Sequence, residues 1–164
     1  MKTVGLEVGN SPNRERRTMD IETRLLELAG QGMACSQMLM IMALEEGGIE
    51  CPEAVRTVSG LCGGLGYCGR ECGALTGGCC ILSFFAGKGS PEEEANLEFL
   101  TVIREYVDWF VKTYGEEDGK CSCQTIIGGN FDLAGSVCLP MVGDCYEKIL
   151  ELMEAYDIPL EEPS

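Results

Sequence analysis

The chain of 164 residues contains no histidine. Histidine is the usual general base near neutral pH and the commonest metal ligand. Its absence removes Ser-His and Cys-His catalysis and every mixed Cys/His metal site. No two cysteines stand as C-x-x-C, which excludes the thioredoxin-type redox motif and c-type haem attachment within this chain. Cations are scarce, with 12 Lys and Arg against 27 Asp and Glu for a net charge of −15. A nucleic-acid surface needs the opposite sign, so no nucleic-acid partner is expected. No apolar run reaches the roughly 20 residues of a membrane span, and the opening MKTVGLEVGNSPNRERRTMD lacks a signal-peptide core. The expectation is a cytoplasmic protein without membrane insertion.

What the chain has instead is sulfur and glycine: 11 cysteines and 22 glycines. Residues 60–83, GLCGGLGYCGRECGALTGGCCILS, hold five of those cysteines and eight of the glycines. Cytosolic thiols are kept reduced, so such richness points to metal or redox chemistry more than to a disulfide framework. The charge is uneven. Residues 92–164 carry 17 acidic against 4 basic side chains, whereas residues 51–91 are near neutral. A near-neutral segment suits several thiolates or an anionic cluster, which carboxylate neighbours would disfavour.

The apolar spacing predicts an all-α single domain, an irregular bundle of five or six helices. Residues 1–17 read as a flexible arm, 18–157 as the helical domain and 158–164 as a tail. Ile21, Leu25 and Leu28 recur at helical spacing, and a second helix, about 33–46, carries Cys35, Met38, Leu39 and Met42. Cys51-Pro52 opens a third. A glycine-rich loop, 60–70, leads into a helix from about 71 to 85. Ser90-Pro91-Glu92-Glu93 reads as the N-cap of a helix over 91–114, whose seam Leu97, Leu100, Ile103, Val107, Phe110 and Tyr114 can pack inward or against a second copy of the chain. A short helix near 123–128 and a last one over 137–155 follow. No stretch alternates as a strand would.

Spacing sorts the cysteines. Cys72 and Cys79 lie seven apart on one helix face, and Cys138 and Cys145 share the stripe of Met141, Ile149 and Leu152. Cys51, Cys79, Cys80 and Cys145 read equally well as small buried hydrophobes. Cys72 stands apart: a helix N-terminus and the neighbouring Arg70 are expected to lower its pKa toward the thiolate, with Glu71 opposing. Gly63, Gly64 and Gly66 before it permit positive φ, and backbone N–H groups in such a loop can cradle an anion or an inorganic sulfide. Cys68-x₃-Cys72, with Cys62 six residues earlier, is the one spacing close to a metal knuckle.

The run Cys72-Gly73-Ala74-Leu75-Thr76-Gly77, with lone cysteines on either side, resembles the redox-active family known by its Cys–Cys-Gly-Ala-x-x-Gly–Cys–Cys signature. The likeness covers about residues 18–155. It aligns Cys35 with the family's first cysteine, Cys72 with the central one, Cys123 with the third and Cys138 with the fourth. Relatives are small helical proteins of anaerobic microbes, sometimes joined to cytochrome-type modules. The resemblance implies iron–sulfur binding and electron transfer to a redox partner protein, with those four cysteines as ligands and Gly63, Gly64, Gly66, Gly73 and Gly77 shaping the cofactor loop.

Seven further cysteines depart from the pattern, and Cys62, Cys68, Cys79, Cys121 and Cys145 stand as additional ligand candidates. Sulfur-only ligation selects iron–sulfur clusters, zinc or Cu(I). Two other readings stay open. One is a metal-free thiol–disulfide switch in which Cys72 attacks and Cys68, Cys79 or a distant cysteine resolves. The other is a soft-metal binding or delivery protein that holds Cu(I), zinc or a cluster in transit on the excess thiols, with Met33, Met38, Met40 and Met42 near Cys35. No catalytic base is evident for an independent enzymatic turnover.

Overall fold

The computed structural model describes residues 12–162, with side chains from residue 20 onward. Five helices of 12 to 22 residues build the bundle: α1 (Pro12–Gly30), α2 (Cys35–Glu46), α5 (Gly73–Ala86), α6 (Phe99–Tyr114) and α8 (Ala134–Ala155). Short pieces link them: α3 (Pro52–Thr57), a 3₁₀ turn (Val58–Leu61), α4 (Cys62–Leu65), α7 (Cys123–Ile126) and a second 3₁₀ turn (Phe131–Leu133). No strand occurs among the described residues; one isolated antiparallel bridge pairs Glu71 with Ser122. The all-α expectation holds.

α2 is the centre. Ser36, Met38, Leu39, Met40, Met42, Ala43 and Leu44 are all buried, which leaves it no polar face. It packs against α5, α8, α1 and the first 3₁₀ turn. Its one buried hydroxyl, on Ser36, donates to the Val58 carbonyl at 2.9 Å, so burial leaves no polar atom unsatisfied there. From α8, the Tyr146 hydroxyl reaches the Met42 carbonyl at 3.3 Å.

α5 meets α2 through missing side chains. Gly73 and Gly77, one helical turn apart, face it. A Cβ at Gly77 would stand 2.9 Å from Ser36 Cα, and one at Gly73 would stand 2.7 Å from Cys35 Sγ. On the other side of α5, a Cβ at Gly78 would enter the Tyr106 ring of α6 at 2.3 Å. α6 turns Val102, Tyr106 and Phe110 inward, and α8 contributes Met141, Val142, Cys145, Ile149 and Leu152 to the same core.

Three boundaries differ from the sequence reading. α1 begins at Pro12, inside the segment taken as an arm; residues 1–11 of that arm lie outside the described residues. α6 begins at Phe99 instead of 91. Asn96 Oδ1 accepts from the Glu98 N–H two residues on, an Asx-type bond that takes a backbone donor a helix from 91 would need, while Glu93 Oε2 reaches back to the Gly89 N–H. Leu97, 94% exposed, lies before the helix, and Leu100, within it, sits off the face that Val102, Tyr106 and Phe110 turn inward, so both leave the expected seam for the surface. At the other end, Ile158 is buried in the core and Leu160 packs against it, so the chain beyond 157 is docked at these positions.

The glycine contact gives a direct test. Gly77→Ala should lower unfolding stability by about 1–3 kcal/mol, because the added methyl meets backbone. Gly30→Ala, with open space around its Cβ position, should change it little or raise it by up to about 1 kcal/mol. Urea titration of both variants reads the difference, and equal stabilities would remove the close-packing account.

Candidate redox site

Two backbone devices deliver the cysteines. The first is the bridge at Glu71 and Ser122. The Cys72 N–H donates to the Cys121 carbonyl at 2.9 Å, and the Cys123 N–H donates to the Arg70 carbonyl at 2.6 Å. Side chains alternate across such a pairing, so Glu71 and Ser122 face one way while Cys72, Cys121 and Cys123 face the other. All three cysteines are buried, and Glu71 is exposed.

The second device is the loop before Cys72. Gly63, Gly64, Leu65, Gly66 and Tyr67 all have φ between 60° and 71°, one turn of left-handed helix. Leu65 and Tyr67 cost about 1–2 kcal/mol each in that conformation. The turn is tied by wide-ring bonds: the N–H groups of Gly66, Tyr67, Gly69 and Arg70 donate to the carbonyls of Gly60, Cys62, Gly63 and Gly64. These donors are spent inside the loop, so the expectation of a backbone cradle of free N–H groups for a ligand is not met at these positions. The glycines serve geometry instead. A Cβ at Gly64 would stand 2.4 Å from the Arg70 nitrogen and 2.8 Å from Cys123 Cβ. Gly66 needs only its positive φ, since nothing lies near its Cβ position.

Cys35 at the start of α2, Cys72 capping α5, Cys123 starting α7 and Cys138 in the second turn of α8 are gathered by this packing. Cys35, Cys123 and Cys138 line one cavity of about 180 Å³, along with Met33, Met38 and Gly63. At its rim Tyr67 meets Phe131, with ring centroids 5.6 Å apart. Ionising Cys72 would raise the pKa of Cys35, Cys123 and Cys138 alike, so all four are within electrostatic reach.

Of the additional candidates, Cys121 lies beside Cys72 across the bridge, while Cys62 is within electrostatic reach of Cys123 and Cys145 of Cys72. Cys68 is exposed whereas Cys72 is buried, and among the described residues Cys62, Cys68 and Cys72 are not drawn together as a metal knuckle requires. Cys79 lies farther along α5, beside Cys80 and near Tyr106. The bridge that puts Cys121 beside Cys72 left no trace of β alternation in the sequence.

Electrostatics reverse one expectation. Cys72 does accept from the Ala74 and Leu75 N–H groups, the helix-start effect anticipated, but burial outweighs them and raises its pKa. Burial likewise pushes Cys35 up to about 12 and Cys138 up to about 11. Cys72 is thus a protonated thiol at neutral pH, which removes the ground for reading it as a ready attacking thiolate.

The donor set fits a soft group: cysteine sulfur from three elements, no histidine, and no carboxylate among the cavity residues. A single ion fits less well. Direct ligation by several cysteines places each sulfur about 2.3 Å from one point, and among the described residues no three Cys, Asp or Glu side chains are drawn together in that way. No helix of the described residues is long and apolar enough to cross a membrane.

Residues 33–152 match the family described as "Putative redox-active protein (C_GCAxxG_C_C)", a span that takes in all four cysteines just located. No curated protein and no solved structure matches the chain.

The raised thiol pKa values carry a stability prediction. A group whose pKa is higher folded than unfolded contributes stability below its unfolded value and loses it as pH climbs through the folded one. Metal-free, reduced protein should therefore weaken as pH rises from about 9 toward 12. Each thiol that ionises only when unfolded adds a slope of up to about 1.4 kcal/mol per pH unit. Denaturant midpoints measured across that window check it, and a flat profile would contradict the burial of these thiols.

Proposed function

The chain belongs to that redox-active family, and from this membership we propose that it is an iron–sulfur protein that passes electrons to or from a partner protein. Cys35, Cys72, Cys123 and Cys138 are its ligands. One observation carries the reading: Cys35, Cys123 and Cys138, from three separate elements, line one cavity with Cys72 in electrostatic reach of all three, although the four stand far apart in the chain.

Cluster ligation favours this arrangement over zinc. In a cluster each thiolate binds its own iron, so the sulfurs need not share a single point, which suits three cysteines spread around a cavity with Cys72 in electrostatic reach. Four neighbouring thiols that raise one another's pKa also call for a cationic group before they ionise together. When bound, a cluster supplies a one-electron couple. The chain's own residues hold it, exclude water and set its surroundings: Met33, Met38, Ile127 and Leu139 make the cavity wall apolar. Tyr67 and Phe131, both exposed at the rim, offer the short way out to a redox partner. A cytoplasmic location would keep the cysteines reduced and free to bind such a group.

The test is analysis of iron, zinc, copper and sulfide in protein purified or reconstituted without oxygen, with its visible spectrum. Iron and sulfide in near-equal amounts with charge-transfer absorbance are expected. Replacing Cys72 by Ser should reduce the iron bound by at least about tenfold. A colourless, iron-free protein after anaerobic reconstitution sinks the proposal.

A further inference from the structure

Behind the central cysteine lies a polar contact that none of the ligand roles uses. Tyr106 is fully buried on α6, and its hydroxyl donates to the Ala74 carbonyl at 2.9 Å. Ala74 is the second residue after Cys72, in the first turn of α5. The Cys145 thiol of α8 lies against the same hydroxyl. Room for the ring exists only because position 78 is glycine, where a Cβ would stand 2.3 Å from the phenol. Three helices therefore meet at one oxygen atom, directly under the turn that presents Cys72.

We propose that Tyr106 is the positioning residue of the central cysteine: its hydroxyl, backed by Cys145, pins the first turn of α5 and fixes where that turn presents Cys72 to Cys35, Cys123 and Cys138. A carbonyl at this position already accepts from the helix, so the phenol is a second donor, added from outside. Burial keeps that phenol protonated and therefore always a donor. Outer hydrogen bonds of this kind orient ligands and tune a centre without touching it. The contact also explains the sequence Gly77-Gly78. Gly77 clears α2, and Gly78 clears Tyr106.

This assignment rests on the reading of Cys72 as part of a redox centre, but one arm of its test does not. Tyr106→Phe removes a single oxygen. In reduced, metal-free, native protein, alkylation of Cys72 mapped by peptide mass should quicken about five- to tenfold, the worth of one hydrogen bond, while exposed Cys68 keeps its rate. In the loaded protein, the midpoint potential and visible spectrum should shift at unchanged iron content. Tyr114→Phe, on the same helix but bonded to Asp144, should leave both readouts as they were. An unchanged Cys72 rate overturns the proposal. So does a Tyr106→Phe chain that does not fold, since the hydroxyl would then carry the core instead of one turn. Should no iron load into either protein, the redox reading fails alone, and the labelling result still decides the role of Tyr106.

Discussion

The contact between α2 and α5 is made backbone to backbone, and the rest of the arrangement depends on it. With no side chain at Gly73 or Gly77, the two helices close until Ser36 and Cys35 touch the glycine face. That approach sets Cys35 against the start of the helix that Cys72 caps. A methyl at either glycine would separate the two thiols before any ligand could draw them together. Interiors packed to crystal density transmit such a displacement instead of absorbing it. The glycines of the central motif are thus a packing requirement first.

The rest of the site is assembled by devices that each correct for a limit of the helix. A helix presents one residue per turn on a given face, so it cannot put Cys121 and Cys123 on the same side. Two residues of antiparallel pairing can, and the Glu71–Ser122 bridge does so. Between the first 3₁₀ turn and Cys72 the backbone also switches hand. The left-handed turn at 63–67 makes the reversal, at the expense of two non-glycine residues with positive φ. Backbone strain of this kind persists only where surrounding contacts over-determine it. Here the loop's own hydrogen bonds and the contact with Cys123 serve that end.

Electrostatics then decide the chemical state. At the head of α5 a favourable helix-start field and an unfavourable burial act on the same sulfur, and burial prevails. The same balance holds at Cys35 and Cys138. A site of this kind is inert as a bare set of thiols and becomes a set of ligands only with a positive partner. Reactivity is shifted from the thiol to whatever the thiols hold. The apolar wall and the Tyr106 contact act in the same direction, by keeping water out and the geometry fixed.

Local order was legible in the sequence because it depends on near neighbours. The helical period of α1, α2 and α8, Cys72 at the head of a helix, and the absence of histidine chemistry all follow from residues within a turn or two of one another. The lone cysteines 35, 72, 123 and 138 could be named from the motif they share. The first turn of α6 differs from the expectation because Asn96 captures the Glu98 N–H that a helix from 91 would have used. What only the tertiary structure decided involves partners distant in the chain: Cys121 beside Cys72, Tyr106 under Ala74, and the burial that outweighs the helix-start field. Desolvation depends on everything packed around an atom, and no stretch of sequence carries that sum.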